Sequence, residues 1–326
     1  MIKPKAVIFI AFATMFSFSA VDAFALFNAT KFTVVVENEE GKPLSGINVG
    51  VGFEKNTGWG TNSSGQQGVT DDDGRLTFSG QSNGHITYGG SKDGYYPSYY
   101  DYDFKDLGTF GWEPWNPELK IVMRKIENPV PMYARYAGME REIKVPVLNE
   151  DIGFDLIEGD WVAPYGKGKV SDFVFNLEKI YVNGKSFSSK LALKFSNIND
   201  GIVNVKDDFA NGSTFKLPRY AFDEGYESSI NFSLSRRGGR IDKNYRHNID
   251  AYIFRVRSTF GEKDKQEIKG LYGKLRGAVE VSGISDEKPI ITFKYYLNPD
   301  GTRNLEFDPN NNLFGNLPML EQVQEP

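Results

Sequence analysis

The chain has 326 residues, 38 Lys+Arg against 43 Asp+Glu, a formal net charge of −5 and no cysteine. That mild acidity, with no dense basic run, excludes the electrostatic footprint of a nucleic-acid binder. The missing cysteines exclude thiolate catalysis, thiolate metal sites and disulfide staples, so stability must come from core burial, which a chain of this length can supply.

The first expected element is a secretory signal over residues 1–25. Met1-Ile2-Lys3-Pro4-Lys5 is a short basic start, and Ala6 to Ala20 is almost wholly apolar. Val21-Asp22-Ala23 and Ala23-Phe24-Ala25 offer small residues for cleavage. The apolar run is shorter than the ~20 residues that span a bilayer, so no stable transmembrane segment is expected after cleavage. An exported protein without disulfides points to a bacterial envelope or secreted location, periplasmic or beyond. Four Asn-x-Ser/Thr triplets, at Asn28, Asn62, Asn211 and Asn231, would matter only in a host that glycosylates them.

Strands follow. Aromatic residues make up 14% of the chain and glycines number 34, a composition of strands and turns with almost no helix. Phe32–Glu37 reads as a first strand. Ile47–Phe53 reads as a second, with Val49, Val51 and Phe53 on one face. Arg75–Ser79 and His85–Tyr88 follow, and Leu119–Arg124 closes the series with clean alternation. Glu127-Asn128-Pro129-Val130-Pro131 comes next, where prolines lack ladder donors and mark a boundary or an edge.

These residues carry a resemblance. Gly41-Lys42-Pro43-Leu44-Ser45-Gly46 precedes a Val-rich strand. Gly68-Val69-Thr70-Asp71 and Asp73-Gly74-Arg75-Leu76 follow, then Lys92-Asp93-Gly94-Tyr95. Residues 31–126 thus resemble a carboxypeptidase regulatory-like domain, akin to the transthyretin-like and collagen-adhesin B-type sandwiches. The resemblance implies a seven-strand Greek-key β-sandwich, prealbumin-like or Ig-like, with a β-turn at Asp71–Gly74 and a strand-end motif at Gly94-Tyr95. It implies no single function, because such domains serve many carriers as accessory and adhesive modules. Some adhesin relatives hold an internal Lys–Asn crosslink; Lys31 and Asn128 flank the domain, but no pattern joins them.

One departure from that family lies between Tyr95 and Leu119. The stretch holds Tyr96, Tyr99, Tyr100, Tyr102, Phe104, Phe110, Trp112 and Trp115. Rings with polar tips, interleaved with Asp101, Asp103 and Asp106, suit a polar, ring-shaped ligand such as a glycan, or a protein partner. Tyr96, Tyr99, Tyr100, Tyr102, Trp112 and Trp115 are therefore the candidate binding residues. The plainer alternative has the same rings closing an open end of the sandwich or padding a domain surface.

The second region matches no family motif. Asp172–Val182 alternates, Asn183-Gly184 is a strong hairpin signal, and Leu191–Phe195 reads as the return strand. Ile230–Leu234, Ala251–Val256, Gly270–Val281, Pro289–Leu297 and Asn304–Phe307 read as further strands, a second antiparallel sandwich or barrel. Arg236-Arg237-Gly238-Gly239-Arg240, the one basic cluster, reads as a glycine turn with solvated arginines. The expected division is signal 1–25, sandwich 26–128, linker or edge 129–139, β-rich domain 140–314 and flexible tail 315–326.

Catalytic signals are thin. His85 and His247 lack both metal spacing and a Gly-x-Ser-x-Gly partner. Asp155, Glu158 and Asp160 ahead of Trp161 have the residue types of a glycosidase pair, but close-set loop acids are usually solvated. Asp71–Asp73 and Asp308 with Asn310–Asn312 are oxygen-rich, yet neither has a calcium-loop pattern. No cofactor, metal site or catalytic residue is assigned. The leading expectation is an all-β, exported, non-catalytic binding or structural module recognising a glycan or envelope protein. The alternatives are a glycan hydrolase centred on the second region and a purely architectural envelope component.

Overall fold

The computed structural model describes residues 28–57, 59–109, 111–205, 212–246, 250–260 and 268–326. The expected signal segment, His247 and Asn211 lie outside the described residues. Among the described residues the regular structure is strand, apart from one 3₁₀ turn at Met319–Glu321. No helix among them is long and apolar enough to cross a membrane. The chain divides into two compact units, one ending at Asp93 and resuming over Pro97–Met123, the other comprising Gly94–Tyr96 and Arg124–Pro326.

The first unit is a two-sheet sandwich. Its elements are β1 (Ala29–Asn38), β2 (Asn48–Thr57), β3 (Gly60–Val69), β4 (Arg75–Gln81) and β5 (His85–Ser91). After β6 (Tyr95–Tyr96), which belongs to the second unit, come β7 (Ser98–Asp103), β8 (Asp106–Leu107), β9 (Trp112–Glu113) and β10 (Glu118–Lys125). β1 lies between antiparallel β4 and parallel β10, and the facing sheet runs β3-β2-β5-β7. Period-two alternation drives Phe32, Val34 and Val36 from β1 inward, along with Val49, Val51 and Phe53 from β2 and Leu119, Ile121 and Met123 from β10. The Asp71–Gly74 turn forms as the resemblance implies. Gly74 N–H donates to Asp71 O (3.0 Å), and Gly74 sits at φ +71°, where a Cβ would meet Val36 O at 2.5 Å.

Two expectations are corrected here. β3 carried no apolar alternation and was not foreseen. The aromatic stretch is not an insertion at its start, because Ser98–Asp103 is the fourth strand of a sheet, paired to β5.

The second unit also layers two sheets. Its strands are β11 (Val130–Ala137), β12 (Ile143–Lys144), β13 (Ile152–Asp155), β14 (Asp160–Trp161), β15 (Phe173–Asn183), β16 (Ser186–Lys194) and β17 (Gly201–Val205). They continue with β18 (Ser229–Arg237), β19 (Arg240–Lys243), β20 (Ala251–Phe260), β21 (Ile268–Ser282), β22 (Ile290–Asn298) and β23 (Phe307–Asn312). One sheet runs β17-β20-β21-β22-β11-β23, with β12 also on β22; the other runs β14-β13-β15-β16-β18-β19. Phe154, Trp161, Phe173, Phe175, Phe254 and Phe293 interlock as edge-to-face and tilted rings in the core. Gly238 and Gly239, at φ +57° and +92°, form the tight turn between β18 and β19.

Three boundaries differ from the sequence expectation. Residues 129–139 are not a linker or edge: β11 pairs with both β22 and β23. The ladder to β23 shifts register between Val130 and Met132, so Pro131 sits at an irregularity that needs no donor. The tail from 315 is not loose. Glu321 is fully buried and accepts from Arg135 Nε (2.9 Å) and Arg141 N–H (2.8 Å), and Val323 packs on Met132 and Ala134. Asn304–Phe307 is not a strand; Asn304 makes one bridge to Tyr220, and β23 begins at Phe307.

Candidate functional site

The outer face of the β3-β2-β5-β7 sheet carries an open trough of about 690 Å³. Alternation builds it. With Val49, Val51 and Phe53 turned into the core, Gly50 and Gly52 face outward, and Gly89 does the same on β5. Register then sets two rows across the sheet. Gln67, Gly50, Gly89 and Tyr99 form one; Gly65, Gly52, Thr87 and Asp101 form the other.

The glycines make the floor low. A Cβ at Gly52 would lie 2.6 Å from Thr87 Oγ1, and one at Gly89 would lie 2.9 Å from the Tyr99 ring. A Cβ at Gly50 would meet nothing within 4 Å, so the floor there is open. Tyr99 walls one side, with its ring leaning over Gly89 and 66% exposed. Asn48, Gln67, Ser91 and Asp101 also line the trough, supplying amide, hydroxyl and carboxylate groups. Beyond the same face, His85 Nδ1 lies 2.7 Å from Asp103 Oδ1. That hydrogen bond raises the His85 pKa above its usual value against the opposing cost of burial.

The six candidate residues separate. Tyr99 alone enters the trough with an exposed ring. Tyr100 turns inward, stacks on Tyr88 at 5.4 Å, and accepts from Val122 N–H. Tyr102 packs edge-on against buried Phe104 at 5.0 Å. Trp112 lies across Gly84 and donates from its indole to Ser82 O at 3.0 Å, sealing that end of the sandwich. Trp115 is 47% exposed and sits beside Gly111, outside the trough. Tyr96 falls in the second unit, buried, donating to Glu306 at 2.9 Å, and its assignment as a binding residue is withdrawn. Sequence reading missed Asn48, Gln67, Thr87 and the glycine floor. The signal for the floor was legible as Gly-Val-Gly-Phe, an alternation in which the outward member is glycine.

The acids proposed for hydrolysis are committed to the chain itself. Asp155 accepts from the N–H groups of Ile157, Glu158, Lys169 and Val170 and from Arg257. Burial works to raise its pKa, but those donors outweigh it and hold the carboxyl below its usual range, opposite to a glycosidase acid. Asp160 accepts from Trp161 and Lys167 N–H, and Glu158 pairs with Lys169. Asp71 and Asp308 likewise accept neighbouring N–H groups. Among the described residues no group of three or more His, Cys, Asp or Glu side chains is placed to hold a metal.

No protein-family model matches the chain, and no curated protein matches it. Solved structures to which it is similar include 3-chlorocatechol 1,2-dioxygenase from Rhodococcus opacus 1CP, at 12% identity and TM-score 0.26, covering 30% of this chain and 60% of that one. The major pilin subunit BcpA of Bacillus cereus matches at 10% identity and TM-score 0.24, covering 85% of this chain and 99% of that one. The major pilin SpaD of Corynebacterium diphtheriae matches at 9% identity and TM-score 0.26, covering 75% and 91%. The chain spans less than two thirds of the dioxygenase.

Proposed function

We propose that this chain is an exported, non-catalytic binding module of the bacterial envelope or secretome, and that its first unit takes a glycan in the trough of the outer sheet. The observation that carries the reading is the pairing of a side-chain-free floor with one exposed ring. Gly50 leaves open floor for a flat ligand, Gly52 and Gly89 let the Thr87 hydroxyl and the Tyr99 ring lie over the sheet, and Tyr99 offers an aromatic face beside the opening. A pyranose ring presents C–H groups to such a face and hydroxyls to the edges, where Asn48, Gln67, Thr87 and Asp101 supply donors and acceptors. The secretory pattern of residues 1–25 supports export. The acids of the second unit support a non-catalytic reading, because their lone pairs already hold up loops.

The test is sedimentation of the protein with insoluble cellulose, chitin and peptidoglycan. Binding to at least one of them is expected, and Tyr99→Ala should weaken it by about 2 kcal/mol, as loss of a central aromatic anchor does. Retention of none of the three, or binding that Tyr99→Ala leaves unchanged, would overturn the reading.

A further inference from the structure

We propose that β3 is a homodimerisation edge, along which two copies of this chain pair antiparallel about Ser64 and join their outer sheets. The inference does not rest on the trough holding a ligand, although β3 also lends Gln67 and Val69 to the trough lining.

Among the described residues, β3 is the last strand of its sheet and pairs only with β2. Nine of its ten residues are exposed, with Gln66 reaching Ser79 O at 2.8 Å on the inner side. Its sequence, Gly-Thr-Asn-Ser-Ser-Gly-Gln-Gln-Gly-Val, holds no charge and no proline. Those are the devices by which edge strands ordinarily refuse a partner. β7, at the opposite edge, keeps one of them, with Asp101 and Asp103.

The free backbone groups lie on alternate residues. Thr70 N–H donates to Ile47 O at 3.1 Å. Antiparallel alternation then directs Gly68, Gln66 and Ser64 toward β2, and leaves Val69, Gln67, Gly65, Ser63 and Thr61 with outward amides.

Two exposed apolar side chains fix the register. Trp59, just before β3, is 102% exposed, and Val69, at its end, is 55% exposed. A two-fold axis at Ser64 places each Trp59 opposite the other copy's Val69, at both ends at once. The same axis sets Ser63 opposite Gly65 and Thr61 opposite Gln67, all with outward amides, and no like charges meet. The surface is thus self-complementary, as a two-fold interface requires. A ten-residue edge covers less than the ~1,600 Å² of a standard interface, so the dimer should be weak, in the micromolar range.

The chain's lack of cysteine supplies the test. At the axis, the two Ser64 residues form a non-hydrogen-bonded pair with Cα atoms about 4.5 Å apart, within disulfide reach. Full-length mature protein carrying Ser64→Cys should crosslink under mild oxidation at least ten times faster than protein carrying Ser285→Cys, an exposed position of the second unit. Sedimentation equilibrium of the unmodified protein should show concentration-dependent dimer. Val69→Lys should abolish it, and so should Ser63→Pro, which removes only an outward donor. A monomer at every concentration, or equal crosslinking at the two cysteines, would overturn the proposal. So would a dimer that Val69→Lys and Ser63→Pro leave intact.

Discussion

Adjacent tyrosines in β7 have opposite duties. Tyr99 faces water and Tyr100 stacks on Tyr88 with its hydroxyl on Val122 N–H. Tyr100→Ala should therefore cost about 2 kcal/mol and lower the melting temperature by several degrees, while Tyr99→Ala should stay within about 0.5 kcal/mol of the parent. Differential scanning calorimetry separates the two. In the second unit, Lys274 is fully buried, and its Nζ donates to Leu305 O at 2.7 Å above the Tyr296 and Phe215 rings. Burial pushes its pKa well below the usual lysine value. The unfolded chain then binds more protons than the folded one between the depressed folded pKa and the usual lysine value, so this group makes stability rise with pH over that window. Lys274→Met should raise stability at pH 7 by about 1 kcal/mol or more and flatten that rise, measured by urea unfolding across pH. Neither role could be read from the sequence. Tyr99 and Tyr100 differ by one register position, and a buried lysine looks like any other lysine until its neighbours are placed.

At the scale of elements, burial decides what a sequence discloses. β1, β2 and β10 bury one face against the opposite sheet, so their apolar residues recur at every second position and were legible. β3 is exposed at nine of its ten residues and left no periodic signal; Gly, Ser, Asn and Gln there look like a loop. β11 was concealed differently, since Pro129 and Pro131 suggested a break, and only its register irregularity shows how a proline is tolerated. The glycine floor follows the same logic as the core. Val49, Val51 and Phe53 were easy to read because they alternate, and that reading already placed Gly50 and Gly52 outside. What it lacked was β5 and β7 beside β2, which put Thr87, Asp101 and Tyr99 around the same opening. The contrast between Ser63 and Ser64 belongs to this scale too. Ser64→Pro should break the ladder to β2 and destabilise the unit by about 3 kcal/mol, whereas Ser63→Pro should be tolerated, as judged by thermal melts.

Across the molecule, the all-β composition, the turn at Asp71–Gly74 and the hairpin at Asn183-Gly184 were legible because glycine and aspartate chemistry is local. The polar ties that close the second unit were not, because they join residues from 87 to 210 positions apart. Glu306 is fully buried and gathers Tyr96, Arg219 and the N–H groups of Glu127 and Asn128. Burial would raise its pKa, but these donors prevail and lower it below 4.5. A depressed carboxylate contributes stability that is full above its unfolded value and is lost as pH falls through the folded one. The second unit should accordingly lose stability below about pH 4.5, and Glu306→Gln should be destabilised at pH 7 yet show a shallower acid loss by circular dichroism.

The proposed glycan site in the outer trough of the first unit stands or falls at Gly50. A Cβ there meets no atom within 4 Å, so Gly50→Val extends into open space from the floor, and a β-branched residue suits the strand. The measurement is the binding isotherm of Gly50→Val beside the parent on whichever of cellulose, chitin or peptidoglycan the parent retains. If glycan sits in the trough, the melting temperature stays unchanged and affinity falls at least tenfold; a parent-like isotherm from a fully folded variant would rule the site out.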